Sequence, residues 1–298
     1  MADRCSTPSG WRQRLAVALI GLGCLGWSRP AQALVPYVYV PTTEELKGSS
    51  MGIGRTAAQL LQLGQPQEAA KLAALAVRLQ PEDERLWTVL AEAQLRSNQL
   101  EDASRSLAAA KQLNPEKAGL WFAEAAIALR SERPDEAIDL LARGLQLDPD
   151  NPAAYFDLGN ARIMRDELKL ALTAFERATS LKPDFWEALN NQALVLYEIG
   201  NRNEAIKRWR RVLEIENNPE PMLALAAALH QRGTNREEAL SLATTALSQD
   251  PNYVLTPHQV EQLWGARIRQ AAAQLLDEEE LADTVERAQA NATWKKNR

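Results

Sequence analysis

Reactive side chains are scarce in this chain. Its 298 residues include two histidines and two cysteines, and no H-x-x-x-H pattern occurs. Neither a paired metal-ligand set nor a nucleophile with its base can therefore be read from it. Cys5 and Cys24 both lie in a leading segment expected to be cut away. The mature chain then has no thiol and no disulfide, and packing alone must stabilise it. His230 falls on an apolar helical column, the place of a partly buried and satisfied ring, and His258 falls in the first turn of a late helix. Carboxylates are abundant, as in Asp277 to Glu280, but such a run at a helix start is ordinarily a solvated, favourable charge. No catalytic residue, metal, cofactor or small-molecule substrate is expected.

Excess positive charge is missing too. The formal net charge is −5, and removing Arg4, Arg12, Arg14, Arg29 and Asp3 with the leading segment takes it to about −8. Nucleic acid and anionic lipid are bound through clustered Lys and Arg, so neither is expected as a partner. Only the tail "WKKNR" is locally basic, and it reads as a solvated terminus. Long apolar runs are absent as well. Leu15 to Trp27 is too short for a membrane span, which needs ~20 residues.

That short run contains Gly21-x-Gly23-x-x-Gly26, the letters of a dinucleotide-binding turn. The turn requires a helix after it, and Pro30 and Pro36 forbid one. A basic start, an apolar stretch and the small-x-small site Ala31-Gln32-Ala33 fit an export signal over residues 1–33 instead. A lipoprotein signal is excluded by Gly21, three places before Cys24, and a twin-arginine signal by Gln13 between Arg12 and Arg14. The expected location is the periplasm or an equivalent lumen, with membrane attachment only through an uncleaved signal.

What the sequence does contain is a ruler. Pro81, Pro115, Pro149 and Pro183 are each 34 residues apart, and Pro251 stands two periods further on. Twelve residues before these slots stand Ala69, Ala103, Ala137, Ala171, Ala205 and Ala239. Twenty-four before stand Ala57, Ala91, Ala125, Gly159, Ala193 and Ala227. Columns of small residues at fixed spacing mark two helices per unit whose backbones cross closely. Ile53, Trp87, Trp121, Tyr155, Leu189 and Leu223 supply bulk on one face of each first helix. Gly64, Asn98, Gly200 and Gly233 mark the turn between helices, and Pro66 and Pro134 the start of the second.

These columns resemble the tetratricopeptide repeat. The resemblance covers Ser50 to Tyr253 and implies an all-α, right-handed α-solenoid of six helix pairs: 50–83, 84–117, 118–151, 152–185, 186–219 and 220–253. It departs from the pattern at Ile53 and Ala73 in the first unit and at the missing closing proline of the fifth.

End units expose an apolar face unless they are capped. Residues 254–298 are expected to cap the array. One helix is expected to start at Thr256-Pro257 and bury Val260, Leu263, Trp264, Ile268, Ala271 and Leu275; a second should start at Asp277, with Glu280 completing a capping pair. Residues 34–49 read as an extended N-terminal arm, either a strap over the first repeat or a docking segment. Within it, Thr42 and Glu45 could cap a short helix that Gly48 ends.

With no chemistry written in the chain, function falls to the concave face that the resemblance implies. Its columns place Arg85, Thr88, Phe122, Phe156, Asn160, Asn190, Asn191 and Tyr197 there, with Asp157, Glu187 and Leu225 among their neighbours. The two phenylalanines either meet a ligand or tuck against adjacent helices. The asparagines offer amides to an extended peptide. Chaperone-binding members of the family clamp a C-terminal carboxylate with Lys and Arg; Phe156, Pro221 and Leu225 stand where those cations would be, so that function is excluded. Two readings remain: a scaffold or assembly factor of the bacterial envelope that binds a protein or peptide in the groove, or a structural subunit of an envelope or photosynthetic complex that docks through its arm and capping helices.

Overall fold

The computed structural model describes residues 41–293. The expected export signal, both cysteines and residues 34–40 of the expected arm lie outside the described residues. Everything below belongs to the unit that begins at Thr42.

Six helix pairs follow one another: α1 (Thr43–Gln62) with α2 (Pro66–Leu79), α3 (Glu84–Arg96) with α4 (Leu100–Leu113), α5 (Ala118–Arg130) with α6 (Pro134–Leu147), α7 (Pro152–Met164) with α8 (Leu168–Leu181), α9 (Trp186–Glu198) with α10 (Arg202–Ile215), and α11 (Pro219–Arg232) with α12 (Arg236–Gln249). Every second helix starts and ends 34 residues after the one before it. The small columns explain the fit. Ala69, Ala103, Ala137, Ala171, Ala205 and Ala239 are all 0 % exposed. Gly159 is buried with the Phe175 ring seated where its Cβ would be, so even alanine there must displace the ring. Each pair packs internally, and each second helix packs on the next first helix, which makes the array an α-solenoid.

The turns inside the pairs repeat as well. A residue with positive φ stands at Gly64, Asn98, Glu132, Asp166, Gly200 and Gly233. The next amide in all six reaches back five residues to a helix carbonyl, from Gln99 N to Gln94 O (2.8 Å) to the longest, Thr234 N to Leu229 O (3.4 Å). Two further ties recur at the repeat spacing. Trp87 Nε1 and Trp121 Nε1 donate to the carbonyls of Pro81 and Pro115, at 2.7 and 3.0 Å. Arg96 and Arg130 donate to Leu61 O and Leu95 O near the end of the preceding first helix (3.2 and 3.0 Å), where each carbonyl accepts the amide three residues on rather than four.

Three expectations are corrected. Residues 43–49 are helical, not extended: Thr42 and Glu45 form the expected capping box, but α1 continues through Gly48 for 20 residues. A single helical glycine costs only ~1 kcal/mol, less than the packing of the helix returns. The expected helix from Thr256 is two helices, α13 (Thr256–Glu261) and α14 (Ala266–Leu276), broken where Leu263 takes φ 62°. Thr256 makes no capping bond, and Val260 is left 49 % exposed. The last helix, α15 (Ala282–Asn291), starts five residues after Asp277, which instead caps the end of α14. No capping pair forms, because Arg236 takes both Glu278 and Glu280.

The position of α14 matters most. It packs on α11 and α9, both first helices, while α15 packs on α12. The chain thus lays one of its own helices on the inner face of the array.

Candidate interaction groove

The inner face is built by the first helices, and its two halves differ. On α9 every residue from Ala188 to Tyr197 is buried, and on α11 every residue from Pro221 to Leu229. On α3, α5 and α7 only three or four residues are. The cause is α14, whose Ile268, Ala271, Ala272 and Leu275 join one hydrophobic cluster with Leu194, Tyr197, Leu225 and Leu229.

Polar groups fix α14 at both ends. Glu198 stands in the same column as Arg96 and Arg130, one unit after Met164. Its carboxylate accepts from the amides of Arg267 (3.1 Å) and Ile268 (2.9 Å), putting negative charge at the start of α14. A side chain at Gly265 would collide with that carboxylate. At the far end His230 Nε2 lies 2.7 Å from Glu278 Oε1; the ring is partly buried as expected from sequence, but only half satisfied, since its Nδ1 is buried without a hydrogen-bond partner. Beside the start of α14, Trp264 Nε1 donates to Glu220 (3.0 Å), toward which Asn190 and Tyr253 also donate. Burial pushes the Glu220 carboxyl up to about 7 against the pull of those bonds, and pushes the Tyr253 hydroxyl up too.

The sequence-chosen residues divide along the same boundary. Arg85 is exposed and folds back on Asp83 through Nε (2.9 Å) and Nη2 (2.6 Å). This hydrogen bonding holds the Asp83 carboxyl below its usual value. Thr88 is half-buried and donates to Glu84 O. Phe122 and Phe156 are half-buried: one ring fills the space above Gly144, and the other lies 5.8 Å from Phe175 and 5.2 Å from Phe185. Both rings thus tuck against neighbouring helices while keeping an open side.

Asn190 and Tyr197 do not line the groove. Each is 1 % exposed; Asn190 accepts from Trp209 Nε1 (3.0 Å), and Tyr197 packs 5.9 Å from the same ring. They were placed outward by column alone; Trp209 and Glu220 close on Asn190, and Tyr197 joins the cluster that α14 completes. Asn191, 8 % exposed, and Asn160 bond to each other, Nδ2 to Oδ1 at 2.8 Å. With Asn190 Nδ2 donating to Asn191 Oδ1 (3.3 Å), an amide chain runs from buried Trp209 to the groove at Asn160.

Sequence reasoning missed Glu198, Gly265 and Glu220 as the fixtures of α14. The single carboxylate at Glu198, in a column that otherwise holds Gln62, Arg96, Arg130, Met164 and Arg232, was the available signal. The same reasoning named Asp157 only as a neighbour of the groove residues. That carboxyl, half-buried on α7, makes no hydrogen bond or ion pair with any described residue, and burial raises it to about 6. Among the described residues no cluster of ligating side chains could hold a metal ion, and no helix is long and apolar enough to cross a membrane.

Comparison with known proteins agrees with the architecture. Tetratricopeptide repeat models match residues 57–118, 88–152 and 128–184. No curated protein matches the sequence. Among solved structures, PilF of Pseudomonas aeruginosa is similar at 16 % identity and a TM-score of 0.60, over 78 % of this chain and 99 % of that one. PilW, described as a widely conserved type IV pilus biogenesis factor, is similar at 16 % and 0.60, over 74 % and 97 %. YrrB, described as a TPR protein with an unusual peptide-binding site, is similar at 23 % and 0.50, over 64 % and 99 %. At such identities these likenesses establish the fold.

Proposed function

From the premise that this chain is a tetratricopeptide repeat protein, we propose that it is a non-catalytic scaffold or assembly factor that holds a partner protein in the open half of its inner groove. One observation carries the reading: the inner face of α5 and α7 keeps half-buried Phe122 and Phe156, while the same face on α9 and α11 is covered by α14. An apolar surface kept open beside one that the chain closes for itself is the expected mark of a binding site. The export-like leading segment supports an envelope location, and the acidic balance supports a protein partner over nucleic acid.

The test uses a substitution that blocks the groove without removing packing. Ala126 is half-buried on the inner face of α5, and Ala126→Arg should leave helicity and melting unchanged while abolishing partner recovery from envelope extracts. If recovery survives that change but is lost on deleting residues 34–41, the partner docks on the arm and the groove reading is withdrawn. N-terminal sequencing of the exported chain, expected to begin at Leu34, tests the location.

A further inference from the structure

Four first helices share an unusual composition. In α5, AGLWFAEAAIALR, the charged residues are Glu124 and Arg130, and both are used by the array: Glu124 pairs with Lys111 (2.5 Å), and Arg130 ties Leu95 O and Asn98. In α7, PAAYFDLGNARIM, Arg162 pairs with Glu167. The rest, Asp157 and Asn160 apart, is apolar or small. Helices this apolar on every side are ones whose every side is covered. For α9 and α11 the cover is α14; for α5 and α7 no described element supplies it.

The uncovered face also carries charge without a partner. Asp157 has none, and Glu187, half-buried in the first turn of α9, makes no hydrogen bond or ion pair with a described residue either. The amides that an extended peptide would use, on Asn160 and Asn191, are already bonded to each other. On the occupied half of the same face the guest is a helix, and its Ala271 and Ala272 allow a close approach.

Resting on the groove reading above, we infer that the inner face of α5 and α7 seats a partner's amphipathic, cationic helix, its apolar side laid on Phe122, Ala126 and Phe156 and a Lys or Arg reaching Asp157. The guest continues along the groove what α14 begins. The raised pKa of Asp157 fits this arrangement: an unpaired carboxylate on an apolar surface weakens the free chain and is relieved when a cation arrives.

A photocrosslinking residue at position 126 of the full chain, expressed in its own cells, captures the segment that lies on this face. The expected catch, mapped by mass spectrometry, is a segment with apolar residues at helical spacing flanked by Lys or Arg. A synthetic peptide of that segment should gain helical circular dichroism on binding the full chain. Asp157→Asn should weaken that binding at least about tenfold, as should Glu in place of the peptide's cation, while the free protein melts at the same temperature or higher. A proline-rich, extended or acidic segment, a segment of this chain itself, or Asp157→Asn binding like the parent overturns the inference and leaves the groove function standing. No crosslink from position 126, with the partner still recovered, ends both.

Discussion

The inner face of the array is one surface with two outcomes. On α9 and α11 it is sealed by α14, and on α5 and α7 it is open, although all four helices carry only two acidic or basic residues each, histidine apart. Composition alone therefore does not separate core from binding surface. What separates them is whether the chain brings its own cover, and here the cover is held by a few polar fixtures: Glu198 at one end of α14, Glu278 at the other and Glu220 beside it. The sealed half shows what kind of guest the face accepts. The open half shows where one is missing.

Stripping the cover should have the largest effect. Ile268 is 0 % exposed, and Ile268→Ala should cost ~2 to 5 kcal/mol in chemical denaturation, with new protease cleavage at Arg267 and Arg269. If neither changes, α14 does not seal α9 and α11. The joint at Glu220 should give a pH signature. A carboxyl whose folded pKa lies above its unfolded value contributes stability that is fully present below the unfolded pKa and is lost as pH rises through the folded one. For Glu220 the window runs from 4.5 up to about 7. Across it the parent should lose on the order of 1 to 3 kcal/mol relative to Glu220→Gln, read as the difference between their stability curves; parallel curves would remove Glu220 as a buried carboxyl.

On the open half, Gly144→Ala should push the Phe122 ring outward and cost ~1 to 3 kcal/mol. A melting temperature equal to the parent's would mean that the ring is not seated there. The smallest effect belongs to the ladder: Arg130→Met keeps the aliphatic stem and removes two hydrogen bonds, for a loss of ~0.5 to 1.5 kcal/mol. The corresponding change at Glu198 should cost more, since it leaves the start of α14 uncapped.

Much of this fold was legible because it rests on local repetition. The alanine columns, the closing prolines and the turn residues Gly64, Asn98, Gly200 and Gly233 each answer to one steric demand, and the structure meets it at the same place in each unit. Glu132 and Asp166 escaped notice because their positive φ is imposed by the repeat on either side rather than preferred by the residue. The groove was less legible for a different reason. Asn190 and Tyr197 were assigned by column, and their burial is decided by other helices: Trp209 of α10 and Glu220 of α11 close on Asn190, and α14, some 70 residues further along the chain, joins Tyr197 in one cluster. No pattern within α9 names its cover. The nearest hint was that α9 and α11 hold too few charges for helices that face water.

The bonds linking Trp209 through Asn190 and Asn191 to Asn160 join a sealed indole to the lip of the open cleft. A guest that pulls on Asn160 would perturb a chromophore it never touches. With the other tryptophans replaced by phenylalanine, the emission colour of Trp209 should serve as a built-in optical gauge of whether the cleft is empty or full.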